Sequence, residues 1–250
     1  NNNAQFNALA GANTYDAAWL DIDFIPVGDT LTMQFVFSSE EYPEYTNSIY
    51  QDLVGVWLNG TPVDIAVGNG DADPGNVNAG ENENLFKNTA SDQFNTEMDG
   101  FTVTMTLTIP VIPGVVNSIR IGVADVTDSS YDSNMLIAGD SVQTNLVALA
   151  DSTTVYPSGS TNLDVLGNDV NNGAGTLTIT HINGVEVVAG DSVELPTGEI
   201  ITLNADGTFG IETDADVGSN TFTYTVEDEG GNSDVAFVTV DTVPCFTRGT

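Results

Sequence analysis

W-L-D-I-D-F-I (Trp19–Ile25) and T-L-T-M-Q-F-V-F (Thr30–Phe37) alternate apolar and polar residues with a period of two, the pattern of strands that bury one face. Working outward, F-T-V-T-M-T-L-T-I (Phe101–Ile109) repeats the pattern and reads as one amphipathic strand with threonine on its wet face. Leu53–Leu58 and Val63–Val67 flank Asn59-Gly60, the strongest short hairpin signal, with Thr61-Pro62 expected to lengthen the loop. Asn117–Ala124 and Met135–Ala138 add two more strands, and Trp19 and Trp57 are expected in the core. Helical signals are confined to short turns near Ser48–Asp52. Gly68–Asn84 is a Gly/Asn/Asp/Glu loop long enough to require a functional or metal-ordered explanation.

Near residue 147 the texture changes. Val147–Ser152 leads into shorter strands at steadier spacing: Asn162–Leu166, Thr176–Ile182, Val185–Val188, Ile200–Leu203, Thr208–Ile211, Thr221–Val226 and Val235–Val240. Turn signals separate them, among them Asn183-Gly184 and Asp206-Gly207. Short strands at this spacing are the signature of an immunoglobulin-like sandwich. At roughly 150 residues per domain, the 250 residues suit one large or two ordinary domains.

Charge narrows the function classes. The chain has 36 acidic and three basic residues, for a net charge of −33. The acids are shared: 20 against two bases in residues 1–150, and 16 against one in 151–250. Lys87, Arg120 and Arg248 make no basic face, so phosphate-driven binding of nucleic acid is excluded, as is attraction to anionic lipid. No apolar run approaches the ~20 residues of a membrane helix, so no direct membrane insertion is expected. Salt bridges cannot balance this charge, and self-repulsion opposes a compact state. Bound Ca²⁺ is the expected counter-charge, since Asp, Asn and Gly supply the ligands and turns of oxygen-rich sites. Cys245 stands alone, so no internal disulfide is possible. The start at Asn1-Asn2-Asn3, without Met or leader, reads as a mature form or fragment. There is no G-G-x-G-x-D repeat of a calcium β-roll.

Several motifs in order carry a resemblance. F-N-A-L-A-G (Phe6–Gly11), T-Y-D-A-A-W-L-D-I-D-F-I-P (Thr14–Pro26), F-V-F-S-S-E-E-Y-P-E-Y (Phe35–Tyr45), T-E-M-D-G-F-T (Thr96–Thr102) and A-D-V-T-D-S-S-Y-D-S (Ala124–Ser133) resemble the choice-of-anchor L family of bacterial surface proteins. The resemblance implies an exported domain with no known catalytic activity. L-D-V-L-G-N-D (Leu163–Asp169), L-N-A-D-G-T-F (Leu203–Phe209) and F-T-Y-T-V-E-D-E-G-G-N-S-D (Phe222–Asp234) resemble the cadherin-like or immunoglobulin-like repeats of large adhesins. Val170-Asn171-Asn172-Gly173 departs from the acidic continuation of such repeats. The tail V-P-C-F-T-R-G-T (Val243–Thr250) resembles the start of a Hint self-processing domain, which implies Cys245 as the thiol that attacks the Pro244 carbonyl. The rest of such a domain is missing, so self-processing is not expected of this chain. The expected fold is all-β with two β-sandwiches: a larger jelly-roll-like one over 1–146 and a cadherin/Ig-like one over 147–243, followed by the truncated Hint start at 244–250.

The candidate metal ligands are carboxylates. Glu40 and Glu41 follow a strand end; Asp125, Asp128 and Asp132 lie in a loop with Ser129, Ser130 and Ser133. A sandwich allows the two groups to be neighbours, which the sequence alone does not decide. Asp71 and Asp73 fall in the long loop, and Asp164, Asp169 and Asp228 in the second domain. Each competes with a plain reading as a solvated loop or a hydrogen-bonded turn. His181, the single histidine, is expected at a strand end, and Arg120 beside a local carboxylate. The expected function is a non-enzymatic, calcium-stabilised, extracellular bacterial surface protein in adhesion or in assembly of a layer, filament or matrix. It would self-associate into a homo-oligomer or polymer, with the extended Asn1–Leu9 arm adding as a strand to a neighbour. An alternative is a calcium-dependent carbohydrate-binding module that meets surface glycans through Tyr42, Tyr45 or Tyr131. A third is a glycoside hydrolase using Glu40 and Glu41.

Overall fold

The computed structural model describes residues 2–65, 67, 72–91 and 93–244, so Asp71 and Cys245 lie outside the described residues. The chain divides between Thr144 and Asn145 into two units, each built almost entirely of strands. No helix among the described residues is long and apolar enough to cross a membrane.

The first unit holds helix α1 (Ala4–Ala10) and strands β1 (Thr14–Phe24), β2 (Thr30–Ser39), β3 (Leu53–Leu58), β4 (Thr61–Val63), β5 (Phe86–Asn88), β6 (Gly100–Thr102), β7 (Met105–Pro110), β8 (Asn117–Val126) and β9 (Ser133–Ile137). One sheet runs β1-β8-β3-β4. The other runs β5-β6-β2-β7, with β9 paired to the end of β2. Leu31, Met33, Phe35, Phe37, Met105, Leu107, Ile119 and Ile121 from the two sheets are buried.

Residues 4–10 are helical, which corrects the expectation of an extended arm. The Asn3 side chain caps the helix by accepting from Gln5 N at 2.9 Å, and Gly11 ends it at φ 65°. Phe6 is fully buried and meets Trp57 edge-on at 4.9 Å, beside Ala124 on the outer face of the first sheet. Phe6 thereby holds the arm against its own sheet. Trp57 is in the core as expected. Trp19 is 45% exposed, stacked under Arg120, whose guanidinium is paired with Asp21 at 2.7 Å.

The expected strand Phe101–Ile109 is two strands. Between the β2 pairs Phe35–Met105 and Ser38–Phe101, the β6–β7 side has one residue more, a bulge. The Thr102 hydroxyl fills the gap in the ladder by accepting from Phe37 N at 3.1 Å. Nor is the threonine face wet. Thr102 and Thr106 are buried, and the Thr32 and Thr106 hydroxyls pair at 2.9 Å. The hairpin is tighter than expected: Leu58 pairs directly with Thr61 around Asn59-Gly60, both at positive φ, and Pro62 sits on the edge strand, where its missing N–H costs nothing.

The second unit holds β10 (Leu146–Val147), β11 (Asp151–Val155), β12 (Ser160–Leu163), β13 (Val170–Asn171), β14 (Thr178–Ile182), β15 (Val185–Glu186), β16 (Ser192–Glu194), β17 (Ile200–Leu203), β18 (Phe209–Glu212), β19 (Gly218–Glu227) and β20 (Ser233–Thr242). A sheet β11-β20-β19-β14-β15 and a sheet β12-β18-β17-β16 enclose a core that includes Ile201, Phe209, Phe222, Tyr224 and Val238. The small pair β10–β13 and the strand β16 were not legible, since two residues, or one valine between Ser192 and Glu194, carry no period. His181 lies within β14.

Candidate functional site

β2 ends at Ser39 and delivers Glu40 and Glu41. β9 begins at Ser133, directly opposite Ser39. The turn is closed reciprocally: Glu40 N donates to Asp132 O at 3.1 Å, and Asp132 N donates to Glu40 Oε2 at 3.1 Å. Glu41 turns the other way and is buried, its Oε2 accepting from Asp52 N at 2.9 Å. Asp52 accepts from the Ser133 hydroxyl at 2.7 Å and from Val126 N at 3.3 Å, and the Ser133 hydroxyl lies 2.9 Å from that of Ser39. Because Leu53 pairs with Ala124, the register sets Asp52 beside Asp125. Four strands, β2, β3, β8 and β9, thus converge their ends on Glu41, Asp52 and Asp125.

These carboxylates hold their protons unusually well. Burial, first, and then Glu41 and Asp125 push Asp52 up to about 8, although the Ser133 hydroxyl pulls the other way. Burial, opposed by the Asp52 amide and reinforced by Asp128, Asp125 and Asp73, raises Glu41 to about 7. Asp125 rises to about 6 through burial and then Asp132, Asp16 and Asp128. Every charged group in these influences is itself acidic. Asp125 is only 5% exposed, and its Oδ2 has no hydrogen-bond partner.

The two groups that a sandwich allows to be neighbours are therefore together: Glu40 and Glu41 with Asp125, Asp128 and Asp132. Asp128 shapes its loop by accepting from Ser130 N at 3.0 Å. Asp73 sits close enough to act on Glu41, and starts a turn by accepting from Asn76 N at 3.0 Å. Beyond it, residues 76–82 are held by amides: Gly80 N and Glu81 N donate to Asn78 Oδ1, and Asn82 Nδ2 donates to Asn76 O. A cavity of about 490 Å³ opens beside Asp52 and Asp73. Among the described residues, no three His, Cys, Asp or Glu side chains are gathered closely enough to hold a metal ion.

In the second unit the candidates separate. Asp169 accepts from Leu149 N at 2.8 Å and from the Tyr224 hydroxyl at 3.1 Å. Burial lifts it to about 6 and lifts nearby Asp151 to about 7, where Asp169 adds its repulsion. Asp164 accepts from Leu166 N at 3.2 Å in a turn. Asp228 is the anchor of the 228–232 turn, accepting from Gly230 N, Asn232 N and Asn232 Nδ2, and the Asn232 side chain first of all holds its carboxyl below the ordinary range.

Sequence reasoning missed Asp52 and Asp151. The only local signal for Asp52 is an acid abutting the apolar run Leu53–Leu58. Its partner Asp125 is more than seventy residues away and is found only through the β3–β8 register.

Two family models match. A bacterial Ig domain matches residues 142–241, and the second unit is similar to it in its paired sheets. A choice-of-anchor L domain matches residues 1–143. A comparison with curated proteins gave no match. Neither model reaches the 244–250 tail. With more than half its length matched, and with the carboxylate cluster inside the matched region, the chain belongs to the choice-of-anchor L domain family.

Proposed function

We propose that the chain is a non-catalytic part of an exported bacterial cell-surface protein that works in adhesion or surface assembly, with Ca²⁺ as its counter-ion. The observation that carries this reading is the succession of a choice-of-anchor L domain and a bacterial Ig domain in a chain of net charge −33. Calcium acts here on the field of the whole protein and on the solvent-reaching carboxylates Glu40, Asp128 and Asp132, with no closed chelate among the described residues. Shared between carboxylates of two molecules, it turns repulsion into attraction.

Sedimentation velocity and thermal melting in EDTA and in a Ca²⁺ titration test this. A higher melting temperature together with growth into oligomers supports assembly. A higher melting temperature of the monomer supports a calcium-stabilised adhesive module. No response in either signal refutes the role of calcium. Labelling of intact cells with an antibody to the chain tests the surface location independently.

A second reading, glycan binding, is favoured by one feature. Tyr131, 49% exposed, meets Tyr45 with tilted rings at 5.1 Å, and Tyr50 meets Tyr45 edge-on at 6.3 Å. Tyr42, by contrast, is buried, with its hydroxyl on Val77 O, and offers no platform. A glycan array left blank in the presence of Ca²⁺ removes this reading.

A further inference from the structure

Where the edges of the two sheets of the first unit part, the inner face of β1–β8 and strand β9 leave a cleft of about 540 Å³. The β1–β8 register pairs Ala18 with Val123 and Leu20 with Ile121, so these four side chains share the face toward the cleft. Gly122 lets the chains approach here, since a Cβ would lie 2.2 Å from Ala18 O. Met135 and Ile137 line the opposite wall. At the end of this apolar channel stands Asp125, almost wholly buried, with its Oδ2 unpartnered, and Asp132 lies at the same end. A buried carboxylate oxygen with no donor is costly, and the charged groups that raise Asp125, namely Asp132, Asp16 and Asp128, are acids that add repulsion.

We propose that this cleft receives a lysine side chain of a basic partner protein, with the ammonium on Asp125 and Asp132 and the alkyl stem along Ala18, Val123 and Met135. This names a partner chemistry for the adhesive half of the reading above, and rests on it only for where the partner is met. The walls select the ligand. A metal ion gains nothing from apolar walls, and the carboxylates are not gathered to chelate one among the described residues. An anion is repelled. A guanidinium fork suits two oxygens of one carboxylate, whereas an ammonium is a point charge with three rotatable donors and suits acids that diverge. Alternate residues on one strand face stand about 7 Å apart, so a four-carbon stem lying past Val123 brings its head to Asp125. A second copy of this chain does not supply the lysine. Its three cations are Lys87, half-buried in β5, Arg120, held by Asp21, and Arg248, outside the described residues, and its net charge of −33 repels a like copy while drawing a basic protein.

The test is a titration of the whole ¹⁵N-labelled chain with N-acetyl-lysine methylamide at neutral pH and low salt, followed by NMR. Saturable shifts are expected at Val123, Asp125 and Met135, absent when the probe's ε-amine is acetylated. Asp125→Asn is expected to weaken binding about thirtyfold or more, as truncating one partner of a buried charge pair does. Should that variant fail to fold, Asp132→Asn, at an exposed position, is expected to weaken binding about threefold, in line with a rim charge. The proposal is overturned if the cleft amides stay still, if the acetylated probe binds equally, or if Ca²⁺ alone saturates the same amides while the lysine probe does not. Absence of the protein from intact cell surfaces would defeat the localisation and leave the cleft's binding untouched.

Discussion

Asp52 in the first unit and Asp228 in the second are both buried aspartates, and they titrate in opposite directions. Asp52 lies at a convergence of strand ends where its charged neighbours, Glu41 and Asp125, are acids, and it is driven up to about 8. Asp228 lies in a turn that folds three N–H donors onto its carboxylate, and it is held low. Hydrogen bonds to the charged form stabilise it, whereas desolvation beside like charges destabilises it. The lesson is that an acidic composition does not identify a site. Geometry sorts the carboxylates into those that fasten the chain and those that remain in want of a counter-charge.

The contrast breaks most severely if the strand carrying Asp125 loses its backing. Phe6→Ala removes the helix anchor against Trp57 and Ala124 and is expected to cost about 3–5 kcal/mol, the usual range for a buried phenylalanine. Thermal melting should show the loss in the first unit's transition, with the second unit's unchanged. Next in size is the response to pH. Glu41 and Asp52 are raised in the folded state, so the stability linked to their protons is full below their ordinary values of 4.5 and 3.8 and is lost as pH climbs through about 7 and 8. The melting temperature of the first unit should therefore fall across that window. Asp52→Asn should flatten the fall and leave the molecule more stable than the parent at its alkaline end.

A smaller effect sharpens the second unit's side. Tyr224→Phe deletes the donor to Asp169 and to Val165 O and is expected to cost about 1.5–3 kcal/mol, as for hydrogen bonds to a charged group. It should also move the Asp169 titration upward, since the tyrosine hydroxyl holds it down. The smallest signal is the most direct. Carboxyl NMR should find Asp228 titrating below the ordinary aspartate range and Asp52 above it. Equal titration of the two would cancel the comparison.

How far the sequence reached differs from element to element. Ile200–Leu203 is a strand with the expected bounds, because a short apolar run closed by the Asp206-Gly207 turn signal is marked by local chemistry alone. Phe101–Ile109 misled because a bulge leaves the period intact in the sequence while inserting one residue in the ladder. Its threonines misled because a hydroxyl that finds another hydroxyl, as Thr106 finds Thr32, is buried without penalty. The helix at Ala4–Ala10 was missed because seven residues with one buried side chain carry almost no helical period.

At the site, the acids on either side of Ser39 and Ser133 were visible as motifs, but only the β2–β9 register brings them together. Asp52 was invisible, and so was the distinction between Asp125, whose oxygen meets no donor, and Asp228, whose oxygens meet three. The sequence alone determined an all-β chain of two units with a net charge no internal cation can balance, because period, turn chemistry and charge are local or additive. Only the tertiary structure decided which carboxylates lose their water and which amides reach them, because burial and pairing across strands depend on residues far apart in the chain.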